Sequence, residues 1–145
     1  MLTLRAMRPD DLPLFAGWLA MPHVAKWYRY PDAWLDEVRQ ADAAFSWISH
    51  FIAETEGVPV GFCQYYACTD SGEEMGGYGA MNGSYSLDYL IGIPDALRRG
   101  FGKQMVRAPT EKILLHADAK RIVVEPEAGN LASRALLCAC GFLLC

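Results

Sequence analysis

Residues 84–104 read SYSLDYLIGIPDALRRGFGKQ, and the way this stretch folds decides the rest of the chain. Tyr85, Leu87, Tyr89 and Ile91 alternate with Ser86, Asp88 and Leu90, the two-residue period of a strand. Gly92-Ile93-Pro94 breaks that period, and a basic, glycine-rich turn, Arg98-Arg99-Gly100-Phe101-Gly102-Lys103, then leads into a helical pattern. Glycines let the backbone approach a ligand closely, and the first N–H groups of a helix lack partners within it. The helix dipole adds roughly 0.3–1 kcal/mol for an anion at that end. Arg98, Arg99 and Lys103 add charge-assisted hydrogen bonds of roughly 1.5–3 kcal/mol each where water is excluded. The expected ligand of the turn is a phosphate. Taken alone, the turn also fits a tight reversal at Gly100 with its arginines in solvent.

The bulk properties set the frame. A chain of 145 residues is long enough for a real core and fits one domain, 1–145. At 52% apolar and 21% charged residues the composition is that of an ordinary globular protein. A net charge of −4 lacks the basic footprint of a nucleic-acid binder. The opening MLTLRAMRPDD reaches two acids before any apolar run, unlike a signal peptide, and no uninterrupted apolar run spans a bilayer. Cys63, Cys68, Cys138, Cys140 and Cys145 show no CxxC spacing and read as thiols of a reducing cytosol, which predicts a cytoplasmic protein. His23, His50 and His116 lie far apart, so no metal site is expected.

Upstream, Leu2 and Leu4 alternate with Thr3 and Arg5 as a short first strand. Asp10 is placed to cap a helix whose apolar stripe is Leu12, Phe15, Ala16 and Leu19. Residues 23–31, HVAKWYRYP, form an aromatic and basic connector, either a loop packed on the core by Trp27 and Tyr30 or one wall of a substrate cleft. Asp32 is placed to cap a second helix, with Trp34, Val38, Ala41, Phe45 and Ile48 on one face. Residues 51–55 and 58–67 read as a hairpin reversing at Glu56-Gly57. Residues 70–83, DSGEEMGGYGAMNG, hold five glycines and three acids and predict a mobile loop. That loop is either a solvated hairpin tip or a substrate loop.

Downstream, Met105, Val106, Ile113 and Leu114 mark a helix over 102–116, in which Pro109 predicts a kink or two short helices. Residues 121–125, RIVVE, read as a strand pairing parallel to a neighbour, because a helical crossover precedes it. Asn130 opens a last helix, Gly141 stops it, and Phe142 is expected to begin a final strand.

This order of elements resembles the GNAT superfamily of acyl-CoA N-acyltransferases. Leu97-Arg98-Arg99-Gly100-Phe101-Gly102 is similar to that family's R/Q-x-x-G-x-G/A signature, and the Asn130 helix closing on Gly141-Phe142 is similar to its second one. The likeness narrows toward the aminoglycoside 6'-N-acetyltransferases. Residues 21–28, MPHVAKWY, resemble that branch's "RPHV…WW" segment; residues 57–62, GVPVGF, its "G-x-P-I-G-Y" hairpin; and residues 87–92, LDYLIG, its "IDQFIG" strand.

The resemblance implies an α/β (α+β) fold, a mixed central sheet flanked by helices, with acetyl-CoA between two splayed parallel strands, 84–91 and 121–125. It implies that N–H groups of Leu90, Ile91, Gly92 and Ile93 hold the pantetheine arm and polarise the acetyl carbonyl. Arg98 and the amides of Arg99, Gly100, Phe101, Gly102 and Lys103 would take the diphosphate, and Asn130 the pantetheine amides. Asp88 matches the Asp of "IDQ". It is the candidate base, accepting an ammonium proton directly or through water, or else anchoring the ammonium by charge; an Asp at a solvent-facing strand position fits the same pattern. Trp27, Asp70, Glu73 and Glu74 complete the substrate set for a small cationic amine. Acyltransferases of siderophore precursors and protein N-termini share much of this pattern, so the acceptor stays open.

The chain departs from the family at three places. Leu97 stands where the signature has Gln or Arg. Leu137 stands where the family's usual Tyr is thought to protonate the leaving thiolate, which leaves water, Tyr85 or Tyr89 for that task. The chain stops at Cys145, where relatives continue through another strand, so either a homodimer covers the open sheet edge or the member is abbreviated. Two competing readings remain: a CoA-binding module with little turnover, and transfer through an acyl-cysteine at Cys63 or Cys68.

Overall fold

The computed structural model describes residues 1–71, 82–97, 100–126 and 129–143. Strand β4, Ser84–Ile91, is the one predicted by the alternation, and its two edges are treated differently. On one edge it pairs antiparallel with β3, Val58–Ala67, along its length, from Gly61↔Ile91 to Ala67↔Tyr85. On the other it pairs parallel with β5 only at Ser84↔Arg121 and Tyr85↔Ile122, with one further bond from Val123 N–H to Tyr85 O at 2.8 Å. β2, Ile48–Thr55, and β1, Leu2–Ala6, extend the sheet antiparallel, giving the order β1-β2-β3-β4-β5 among the described residues. The β2–β3 hairpin turns at Glu56 (φ 51°) and Gly57 (φ 78°), the double left-handed geometry that matches the strand twist.

Two layers of helix cover the sheet. Helices α1 (Leu12–Leu19), α2 (Pro22–Ala25) and α3 (Pro31–Arg39) lie over Ile52, Phe62 and Leu90, and Phe15 stacks on Phe62 with ring centroids 4.2 Å apart. Full burial of side chains of this size contributes roughly 1.5–3 kcal/mol each. The short helices α4 (Cys68–Ser71) and α5 (Pro94–Leu97) follow β3 and β4. Helix α6, Gly102–Leu114, covers the opposite face through Met105 and Ile113, and α7, Leu131–Ala139, packs beside its start.

The structure corrects several expectations. The strand read at 121–125 shrinks to Arg121–Ile122, and the β4 carbonyls of Tyr89 and Ile91 on that edge are taken by side chains instead. The second helix stops at Arg39 where Gln40 leaves helical geometry (φ −101°, ψ 23°), and Ile48 opens β2 instead of continuing the helix. Asp11, not Asp10, holds the cap position of α1, with no side-chain cap bond there; its carboxylate accepts the Arg8 N–H at 2.8 Å across the preceding turn and is gripped by both Arg5 terminal nitrogens. Asp32 sits inside the first turn of α3, whose cap position is Tyr30. Pro109 leaves α6 as one helix; it is fully buried, and the hydroxyl of Thr110 donates to Val106 O at 2.8 Å.

Phe142 begins no strand among the described residues. Its N–H bonds back to Leu137 O at 3.0 Å while Gly141 (φ 94°) bonds Cys138 O at 3.0 Å, the paired closure of a helix C-terminus. Asp70 and Ser71 belong to α4, and the rest of the expected loop through residue 81 lies outside the described residues.

Candidate active site

Where β4 and β5 part, a cleft of about 630 Å³ opens. Its walls are β4 from Leu87 to Ile91, the aromatic segment after α2, the chain at 124–126 and the first turn of α7. The alternation of β4 decides which main-chain groups face it. Gly92 N–H donates to Val60 O at 2.8 Å, so Leu90, two residues earlier, also turns its N–H and C=O toward β3. Tyr89 and Ile91 turn theirs into the cleft. Their carbonyls are both occupied: the Tyr28 hydroxyl donates to Tyr89 O, and His23 Nε2 lies 2.8 Å from Ile91 O. A carbonyl only accepts, so His23 carries its proton on Nε2. Side chains thus cap these two acceptors, and the N–H groups of Tyr89 and Ile91 face the gap.

Of the backbone donors read from the sequence, Leu90 and Gly92 therefore point the wrong way. Gly92 has a packing reason to be glycine, since a Cβ there would lie 2.2 Å from Trp18 Cγ. Ile93 packs against the core on the α6 side of the sheet, outside the cleft lining.

Asp88 lies half-buried in the cleft wall, and its Oδ2 accepts a hydrogen bond from Gln64 Nε2 at 3.0 Å. Burial, reinforced by the Asp88 charge, pushes the Tyr28 phenol well above its ordinary pKa, so Tyr28 keeps its proton and remains a donor. Trp27 lines the cleft, and Tyr28 meets Trp34 edge-on with centroids 4.9 Å apart. Asp70 is exposed on α4 and belongs to the Tyr85 end of the sheet, away from the cleft lining. Glu73 and Glu74 lie outside the described residues, as do Arg98 and Arg99.

The turn itself is partly visible. Gly100 has φ 77°, which requires glycine, and Phe101 is the cap position of α6, which has no side-chain cap. Gly102 opens the helix and lines the cleft; a Cβ there would come within 3.2 Å of the Leu136 side chain, so it also lets α7 sit close. Lys103 is exposed on the first turn. Asn130 lines the cleft and caps α7, its Oδ1 accepting the Ser133 N–H at 3.1 Å.

Sequence reasoning missed Glu125 and Ser133 as cleft residues. Glu125 was hidden as the last residue of an assumed strand; the signal was the Pro126 behind it, which ends regular pairing and leaves an acid at the mouth of the splay. Ser133 meets the Tyr89 hydroxyl, oxygen to oxygen at 2.6 Å, so of Tyr85 and Tyr89 it is Tyr89 whose phenol meets a cleft residue. Tyr85 donates to Asp118 Oδ1 at 2.8 Å elsewhere and its phenol is pushed up to about 12, first by burial. Leu137 is buried core. Cys63 and Cys68 are fully buried, and burial pushes the Cys63 thiol up to about 12, which removes Cys63 as an acyl carrier.

The model of the acetyltransferase (GNAT) domain matches residues 8–144. The chain belongs to the GNAT acetyltransferases. An aminoglycoside N(6')-acetyltransferase type 1 of Klebsiella pneumoniae is 28% identical over 142 residues, covering 94% of this chain and 70% of that protein. The crystal structure of the aminoglycoside acetyltransferase AAC(6')-Ib in complex with coenzyme A superposes with a TM-score of 0.84 at 26% identity, covering 99% of this chain and 84% of that one. A further structure of that enzyme, with coenzyme A and kanamycin, matches equally well, at TM-score 0.84 and 26% identity over 99% of this chain and 84% of that one. This GNAT chain is an acetyltransferase with a mixed sheet and a parallel β4–β5 pair. Among the described residues no helix is long and apolar enough to cross a membrane.

Proposed function

We propose that this GNAT enzyme transfers the acetyl group of acetyl-CoA to a primary amine of a small polycation, an aminoglycoside or a polyamine. The observation that carries the reading is the β4 edge, where the carbonyls of Tyr89 and Ile91 are capped by Tyr28 and His23 and their N–H groups face the gap. Between Tyr89 and Ile91 such an edge offers donors with its acceptors already taken, which suits the carbonyl-rich pantetheine arm and the negative charge that develops on an acetyl oxygen under attack. The uncapped start of α6 behind Gly100 and Gly102 supports a diphosphate site, because its first N–H groups point outward with the positive end of the dipole.

Acetyl-CoA supplies an activated thioester whose thiolate is an acceptable leaving group at neutral pH. The chain supplies placement and proton handling. Asp88 takes a proton from the substrate ammonium, directly or through water, and releases the nucleophilic amine beside the N–H groups of Tyr89 and Ile91. Asp88 and Glu125 line one cleft and draw a cation into it, while Trp27 and Trp34 give the flat walls against which a sugar or alkyl chain packs. The Tyr89 phenol, held by Ser133, is the cleft's own proton donor toward a departing thiolate.

The test is release of free thiol from acetyl-CoA with a panel of kanamycin, ribostamycin, spermidine and simple primary amines. Turnover that requires a polyamine and fails with acetylated acceptor supports the reading. Tight binding of CoA with no thiol release on any amine contradicts it and leaves a CoA-binding module.

A further inference from the structure

Three polar side chains form a rank across the sheet behind the cleft. His50 on β2, Gln64 on β3 and Asp88 on β4 are register partners, His50↔Gln64 and Gln64↔Asp88. Alternation along each strand puts all three on the face covered by α1 to α3. The neighbouring rank on that same face is Ile52, Phe62 and Leu90, and it is wholly apolar. Directly opposed residues on one face have Cβ atoms about 4.5–5.5 Å apart, so each member of a rank meets the next.

The middle of the polar rank is very dry. Gln64 is 3% exposed and His50 is 9% exposed, and Gln64 Oε1 with both His50 ring nitrogens are buried without a partner. A sheet that needed only a core would carry apolar side chains here, as it does one rank along, because an unsatisfied amide and imidazole are costly to bury. The hydrogen bond from Gln64 Nε2 to Asp88 Oδ2, at 3.0 Å, gives the amide's orientation a reason. Reversing the amide would set two acceptors together. His50 is the register neighbour of Gln64 on β2, but its ring nitrogens make no bond to the Gln64 carbonyl. Burial lowers the His50 pKa to about 4, so the imidazole is neutral at working pH and brings one N–H and no charge.

We propose that Gln64 is a positioning residue that fixes the Asp88 carboxylate for proton transfer. The inference rests on the reading of Asp88 as the group that takes the amine proton. The rank makes the base a rigid acceptor: one oxygen is held by an amide on β3 while the carboxylate faces the cleft. The titratable groups facing the same space are His23 on α2, Tyr28 after it, Tyr89 on β4 and Glu125 after β5, with His50 two strands away on β2; α3 brings the uncharged Trp34.

The experiment compares pH profiles of kcat/KM, using the panel amine with the highest rate, for the parent, Gln64→Met, Gln64→Glu, Asp88→Asn and the Gln64→Met/Asp88→Asn pair. A donated hydrogen bond favours the ionised carboxylate, so Gln64→Met moves the acid limb up by about one pH unit and lowers kcat about tenfold, with the KM for acetyl-CoA unchanged. Gln64→Glu, equal in size, moves the limb further the same way because a second carboxylate competes for the proton. In the Asp88→Asn background the Gln64 change has no further effect on rate. The acetyl-CoA dissociation constant reports folding in every variant, and Gln64→Glu keeps the test open if Gln64→Met does not fold. Loss of turnover in Asp88→Asn with parental acid limbs in both Gln64 variants overturns the proposal alone. Parental rate in Asp88→Asn overturns the reading of Asp88 and the proposal with it, and absence of turnover by the parent on every amine removes both.

Discussion

The two edges of β4 are made of the same residues and meet different fates. Toward β3 the strand is paired from Tyr85 to Ile91. Toward β5 pairing ends at Tyr85, and from Tyr89 onward side chains from the α2 region, Tyr28 and His23, replace the missing strand as donors to the carbonyls. The paired edge is a matter of stability. The parted edge is where the proposed chemistry is read, because a neighbouring strand would satisfy N–H and C=O alike, whereas hydroxyl and imidazole donors satisfy only C=O.

Changes on the parted side should alter turnover and leave melting little changed, and changes on the paired side should do the reverse. Asp88→Asn gives the largest expected effect, a fall of roughly 10²–10⁴ in kcat/KM for the amine with acetyl-CoA binding retained. A stopped thiol-release assay reads it, and a loss below threefold would contradict a proton-transfer role. Phe62→Ala, beneath the paired edge and stacked on Phe15, should cost roughly 3–5 kcal/mol of stability in denaturant melts, while protein that remains folded binds CoA normally. Should its cost fall below 1 kcal/mol, the core is not where the packing places it.

His50 supplies a pH test on the same paired region. Its pKa is lowered by burial to about 4, against about 6.5 in the unfolded chain, so the unfolded state binds the extra proton. Its contribution is complete above about pH 6.5 and is lost as pH falls toward 4, amounting to about 3 kcal/mol over that window. Asp11, held below the ordinary carboxylate range chiefly by its hydrogen bond to Arg5, acts lower, below its unfolded value of 3.8. Replacing His50 by Leu should therefore flatten the stability curve between pH 6.5 and 4 and leave the steep loss below it. An unchanged slope in the upper window would show that His50 is not dry.

Smaller effects sharpen the parted side. Tyr28→Phe leaves the Tyr89 carbonyl without its donor at about 1–3 kcal/mol, expressed as about a tenfold rise in the acetyl-CoA dissociation constant if that carbonyl then disorders the edge. Glu125→Gln should raise the amine KM about threefold to tenfold in low salt, with the effect fading as ionic strength rises. A Glu125 effect that appears in the acetyl-CoA KM instead would move that residue to the other substrate.

Much of this was readable from the chain because β4 announces itself twice, by strict alternation at Tyr85 to Ile91 and by the Gly-Ile-Pro break behind it. The Asn130 cap and the Gly141-Phe142 closure were equally local signals, although Phe142 turned out to complete the cap and not to open a strand. The errors fell where tertiary partners decide. Ile48 continues a helical stripe in sequence yet opens β2 opposite Tyr66, and Val124 and Glu125 have strand composition but part from β4 after the single Val123 N–H bond to Tyr85 O. Glu125 and Gln64 were invisible as site residues for one reason: their roles depend on who sits across the gap or across the sheet, which no spacing along the chain records.

The most direct test is an amide-resolved NMR titration of the protein with CoA. The parted-edge account predicts large shifts and slowed exchange for the N–H groups of Tyr89 and Ile91, with Leu90 and Gly92, bonded toward β3, nearly unmoved. Equal shifts along all four, or shifts confined to Leu90 and Gly92, would contradict it.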